Sequence, residues 1–145
     1  EFVEEGNNLA PKFNSEDVIP VVVTETKSGL VLMLGYMNKE ALEKTILTKE
    51  AHYWSRSRKA LWKKGESSGM VHKIDEILID DDQDSIWLKV TIGGLGASCH
   101  VGYKSCFYRS VDSIENDEVI LNFTESEKVF DPEEVYPGIE NPTKL

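Results

Sequence analysis

The chain has 145 residues, 40% hydrophobic and 29% charged, with a net charge of −10, which is ordinary for one soluble globular domain with its own core. It holds no run of 18 apolar residues, and its acidic, polar start EFVEEGNNLAPKF does not read as a signal peptide, so no membrane span and a cytoplasmic location are expected. Two cysteines, Cys99 and Cys106, are too few for a disulfide scaffold, and in a reducing compartment a close pair is more often a metal site.

Taken in chain order, DVIPVVV (Asp17 to Val23) predicts a strand, and Pro20 near its start suits an edge or a strand beginning better than a central strand. TKSG at 26–29 predicts a turn into a second strand, LVLMLGY (30–36), making a hairpin. Asn38 is a good N-cap for a helix over Lys39 to Leu47, with Ala41, Leu42, Thr45 and Ile46 on its inner face. Tyr53 and Trp54 open a third strand. Val71 to Asp80 and Ser85 to Ile92 give two more, joined through an acidic stretch. Gly93, Gly94 and Gly96 predict a flexible loop, and Ser105 to Val111 a last core strand. The tail from Ser113 holds one strand-like run, Val119 to Phe123, followed by Pro132, Pro137 and Pro142. There is no internal repeat. The expected fold is α+β: a compact, strand-rich single domain with one main helix. An acidic extension over 1–16 precedes the domain at 17–111, and a loosely held acidic extension follows over 112–145.

The charge is uneven. Residues 1–17 hold five acids and one base, and residues 110–145 ten acids and two bases. Between them, HYWSRSRKALWKKGESSGMVHK (His52 to Lys73) holds six bases and one acid. The strip mixes Tyr53, Trp54 and Trp62 with Arg56, Arg58, Lys59, Lys63 and Lys64, groups suited to gripping phosphate and stacking on a base. Its plainer reading is a solvated basic face over core aromatics. The acidic ends disfavour a nucleic acid and favour a small, phosphorylated, base-containing ligand.

In IDDDQDS (Ile79 to Ser85), four carboxylates crowd into five positions, where they repel one another unless something positive sits among them. Read as a strand end, alternation puts Asp80, Asp82 and Asp84 on one face and Asp81 on the other. Three carboxylates on one face suit a hard divalent ion such as magnesium, and a solvated acidic turn is the bland alternative. ASCHVGYKSC places Cys99 and Cys106 with six residues between them, His100 and Gly102 included. Thiolates favour zinc, although a third ligand must come from elsewhere, and two buried apolar cysteines are the competing reading. A lone histidine such as His100 carries little information.

HYWSRSRKALWKKGESSG, DDDQD and CHVGYKSCF, in this order and spacing, together with VLMLGYMNKEAL (31–42), closely resemble the phosphoribosyl-AMP cyclohydrolases of histidine biosynthesis. The resemblance covers Asp17 to Arg109. It implies a hydrolase that opens the purine ring of N1-(5-phosphoribosyl)-AMP at N1–C6. It also implies a homodimer with active sites at the subunit interface, and two metals, zinc and magnesium. Carried over by position, Asp80, Asp82 and Asp84 match the magnesium ligands of a D-C-D-x-D motif. Cys99 and Cys106 match two zinc cysteines, and His100 matches a histidine that is a candidate for proton transfer. Trp54, Arg56, Arg58, Lys64 and Glu66 fall in the substrate-binding block.

The chain departs from the family where the third zinc cysteine would stand, because Asp81 occupies that position. Met70 and His72 replace a common histidine and glutamine, and Val101 a common threonine. Oxygen for sulfur hardens the site, so zinc should lose part of its margin over manganese or iron(II). Two alternatives stand beside a working cyclohydrolase: a nucleotide-binding paralogue without hydrolysis, and a hydrolase of another N-substituted purine. Glu66, Asp80, Asp82 and Asp84 are all retained, which favours retained chemistry.

Overall fold

The computed structural model describes residues 3–138. Ten elements follow in order: β1 (Ile19–Glu25), β2 (Val31–Met37), α1 (Lys39–Thr48), β3 (His52–Ser55), β4 (Ala60–Lys63), β5 (His72–Ile79), β6 (Ile86–Ile92), β7 (Arg109–Glu115), β8 (Glu118–Phe123) and the single-turn α2 (Pro132–Val135). One four-stranded sheet runs β2-β1-β6-β5, and β3-β4 and β7-β8 are separate hairpins. The α+β, strand-rich character with one main helix is as expected.

Period-two alternation builds the core. Ile19, Val21 and Val23 of β1 and Ile86, Leu88 and Val90 of β6 are buried together with Leu32, Met37, Ala41, Leu42 and Tyr53. Asn38 caps α1 by accepting the Ala41 N–H at 2.9 Å, as its residue type suggests. Of the four inner-face residues expected on α1, Ala41, Leu42 and Thr45 are buried, whereas Ile46 is on the boundary of exposure. Gly35 opens room beneath β2, since a Cβ there would meet the Tyr53 ring at 3.0 Å.

Pro20 lies at the beginning of β1, one of the two positions its residue type suits, although β1 itself is central, antiparallel to β2 and parallel to β6. The β6 pairing starts only at Val21–Ile86, so at Pro20 the ladder has a partner on the β2 side alone and a missing N–H is tolerated. Ser105 to Val111 is not a core strand. Strand β7 starts at Arg109, pairs with β8 only, and leaves Val111 76% exposed. The tail is not loosely held throughout: Phe130 is buried against Met70 and Ala97, with Val135 and Tyr136 packed beside it.

Candidate functional site

The acidic residues are the turn between β5 and β6 rather than a strand end, and the turn explains their grouping. One oxygen of Asp80 accepts the N–H groups of Asp84 and Ser85 at 2.9 and 3.0 Å, and the other accepts the Ser85 hydroxyl at 2.7 Å. Gln83 takes a left-handed backbone (φ 59°) and buries its amide, which accepts the Ala10 N–H at 2.6 Å and donates to the Asn8 carbonyl at 3.1 Å. The chain thereby folds Asp82 and Asp84 back beside Asp80. Among the described residues these three form the one group of His, Cys, Asp or Glu side chains close enough to hold an ion together, with oxygens all within 4.8 Å. Hydrogen bonds to Asp80 and Asp82 push the Asp84 carboxyl up to about 6, while the Ser85 hydroxyl first of all holds Asp80 well below the usual carboxylate range. Asp81 is outside this group. With Asp80, Gln83, Glu4, Asn7 and Leu9 it lines a cleft of about 330 Å³. Within one chain it does not join the cysteines in a ligand group.

The cysteines do come together. The loop from Ser98 to Cys106 closes on itself through Ser98 N–H to the Lys104 carbonyl (2.9 Å) and Cys99 N–H to the Tyr103 carbonyl (3.1 Å). It is fixed to β2 by the Cys106 N–H on the Leu32 carbonyl at 2.7 Å and the Ser105 hydroxyl on the Val31 carbonyl at 2.6 Å. Cys99 is buried and Cys106 exposed. The neighbouring Cys106 thiol pulls Cys99 down to about 6, and the same contact pushes Cys106 up. His100, next in sequence to Cys99, is exposed and lends it a favourable charge interaction.

Lys64 reaches this loop from the end of β4. Its ammonium donates to the Ser98 carbonyl at 2.5 Å. Burial lowers its pKa, while the two cysteines act in the opposite direction. Behind it lies a network that sequence reasoning missed. His72 is fully buried, with one ring nitrogen 2.9 Å from the Tyr53 hydroxyl and the other 3.0 Å from the Ser98 hydroxyl. The sequence carried a signal for it: His72 opens β5 in phase with the inward-facing positions, where a polar ring needs partners on both nitrogens.

Burial, with Lys64 as a lesser cause, pushes the His72 pKa from 6.5 down to about 3. The unfolded chain therefore takes up a proton that the folded chain refuses, and stability falls as pH drops from 6.5 toward 3. Between pH 7 and pH 5 this group alone should cost about 2 kcal/mol. In denaturant unfolding, His72→Gln is expected to flatten that part of the stability profile. Parallel profiles for the two proteins would show that His72 is not the acid-sensitive group.

The basic strip is divided. Their two-residue spacing would put Arg56 and Arg58 on one face of a strand, but both lie in the β3–β4 turn. Arg56 sits over the Tyr36 ring at 3.8 Å, and Arg58 folds back on the Ser55 hydroxyl (Nε at 3.4 Å). Lys63 is paired with Glu50 at 2.5 Å. Trp54 is half-buried in β3 opposite Leu61, and Glu66 is exposed in the turn after β4.

Known proteins resemble this chain in sequence. The sequence profile of the phosphoribosyl-AMP cyclohydrolase family (PRA-CH) matches residues 33–108, which include the strip, the acidic turn and both cysteines. A phosphoribosyl-AMP cyclohydrolase of Rhodopseudomonas palustris (strain HaA2) is 52% identical over 134 residues, 92% of this chain and 90% of that protein. Another, from Rhodopseudomonas palustris (strain BisB5), is 49% identical over 93% of this chain and 90% of its own length. One from Sinorhizobium fredii (strain NBRC 101917 / NGR234) is 48% identical over 92% and 88%. An alignment of 134 residues reaches beyond the segment 17–111 into the flanking extensions. The chain belongs to the phosphoribosyl-AMP cyclohydrolase family.

Proposed function

We propose that the chain hydrolyses the N1–C6 bond of N1-(5-phosphoribosyl)-AMP in histidine biosynthesis, using a transition metal at Cys99 and Cys106 and magnesium at Asp80, Asp82 and Asp84. The observation that carries this reading is that the matched segment folds into two chemically distinct donor sets. Two neighbouring thiols that strongly perturb one another suit a soft or borderline ion such as zinc. Three crowded carboxylates, one already holding its proton to about pH 6, suit a hard cation that relieves their repulsion. A bound zinc ion supplies Lewis acidity that makes hydroxide available near neutral pH.

The residues of the chain supply the rest. The sugar on N1 leaves the amidine cationic, so C6 is electrophilic and accepts the oxygen of water. The N1–C6 bond then breaks, N1 keeps the bonding pair as part of a formimino group, and C6 becomes a carboxamide. In this reading His100, exposed beside Cys99, takes the proton from water at an imidazole nitrogen and returns it to the leaving nitrogen. Lys64, bonded to the Ser98 carbonyl, adds positive charge beside the cysteine pair. Arg56 and Arg58, on a turn and resting against Tyr36 and Ser55, can swing onto substrate phosphates, and Trp54 and Glu66 flank them in the same block. Product whose mass has grown by one water, with both phosphates intact, is the expected result with purified protein. Unchanged substrate with both metals supplied would exclude this activity.

Arg58→Ala and Arg56→Ala are each expected to lower kcat/KM by about 10- to 100-fold, the effect of one or two charge-assisted phosphate contacts. Unaltered kinetics in both variants would make the strip a solvated face.

A homodimer completes the site in this reading. The cysteine pair finds no third ligand group within one chain among the described residues. Phe107, Val111 and Phe123 are 59%, 76% and 61% exposed, an apolar surface that suits a second copy. Asp81 from one copy would then serve Cys99 and Cys106 of the other. Sedimentation should show a dimer at assay concentrations; an active species of 16.4 kDa would contradict it.

A further inference from the structure

We infer that the segment from Thr124 to Tyr136 is a strap that sets the position of the Cys99–Cys106 loop, with Glu125 as its positioning residue. The inference rests on the metal-centre reading above and deepens it. Glu125 lies far along the chain from the loop, yet its two carboxylate oxygens accept the backbone N–H groups of Lys104 (2.8 Å) and Ser105 (2.9 Å), the two residues just before Cys106. Both are charge-assisted bonds from a half-buried group, so they hold the peptide planes in direction as well as distance.

The far end of the strap grips the same loop. The Gly102 carbonyl, midway between the cysteines, accepts the N–H groups of Val129 (2.6 Å) and Phe130 (3.4 Å). The fit leaves no slack: Gly102 has φ +112°, and a Cβ there would lie 2.3 Å from the Phe130 carbonyl oxygen. Lys128 stands over the Tyr103 ring at 5.8 Å. Phe130, 6% exposed, anchors the strap under Met70 and Ala97. On its opposite side the loop is tied to β2 through Ser105 and Cys106. It is therefore clamped between the sheet and the strap, and the spacing of the two sulfurs depends on both. Ligands must be held to within about half an ångström for a metal site to work, and loops alone do this poorly. Glu125 acts on the sulfurs through the backbone that carries Cys106.

The test compares full-length wild type, Glu125→Ala and Glu125→Gln by three readouts. The first is the rate at which an aromatic disulfide reagent modifies Cys99 and Cys106 in metal-free protein. The second is the cobalt(II)–thiolate charge-transfer absorption. The third is kcat separately from KM. Glu125→Ala should speed modification of buried Cys99, weaken the cobalt band and lower kcat with KM nearly unchanged, each by about tenfold for a lost charge-assisted bond. Glu125→Gln keeps one carbonyl acceptor and should fall between; it carries the same test if the alanine variant does not fold. Thiol rates and a cobalt band equal to wild type in either folded variant would overturn the inference. The thiol rates require neither metal nor substrate, so they decide the strap independently of the hydrolase reading.

Discussion

Cys99→Ala should lose the transition metal and cut turnover by about a thousandfold or more. A catalytic metal supplies several kcal/mol of transition-state stabilisation, and each ~1.4 kcal/mol is a factor of ten. Cys99 is the buried member of the pair and the one whose thiolate forms near neutral pH. Its hydrogen-bonded partner Cys106 would be left as a single sulfur with no companion. A purely packing cysteine behaves differently: its truncation would cost about 1 kcal/mol of stability and leave turnover alone. Denaturant unfolding and kinetics on the same preparation separate the two. Near-normal kcat with a lowered unfolding midpoint would remove Cys99 from the chemistry.

Asp81 carries the second large effect. Asp81→Ala is expected to weaken metal binding and abolish most turnover, whereas Asp81→Cys should raise zinc affinity by replacing a hard oxygen with a soft sulfur. Its position is informative. Asp80, Asp82 and Asp84 form one group of oxygens that leaves Asp81 out, and Asp81 lines, together with Asp80, the cleft bounded by the N-terminal segment. A residue that only extended an acidic turn would have no reason to alter metal content. Equal metal retention and equal turnover in wild type, Asp81→Ala and Asp81→Cys would show that Asp81 is not a ligand.

Much of the fold could be read from local pattern. Strand β1 follows from Val21-Val22-Val23, the β1–β2 hairpin from TKSG, and α1 from Asn38 at its cap. The donor residues were legible as well, because carboxylates in the run 80–84 and thiols at 99 and 106 name their chemistry by residue type. What escaped depends on distant contacts or on particular backbone states. Strand alternation grouped Asp80, Asp82 and Asp84 for the wrong reason: the true cause is the left-handed Gln83, whose amide is captured by Ala10 and Asn8 more than 70 residues earlier. Arg56 and Arg58 looked like strand neighbours, yet the strand ends at Ser55. Ser105 to Val111 read as a core strand, yet Val111 remains exposed in a single chain. The hold of Glu125 on the cysteine loop has no local signature, since one acid in an acidic tail looks like any other.

The most direct measurement takes one preparation of the wild-type protein and determines both its bound transition metal and its rate of ring opening on N1-(5-phosphoribosyl)-AMP with magnesium present. The expected result is about one thiol-bound metal ion per chain, as a single cysteine pair allows, and turnover that falls on chelation and returns when that metal is restored. Ring opening at full rate by metal-stripped protein, or a fully metal-loaded protein that leaves the substrate intact, would contradict it.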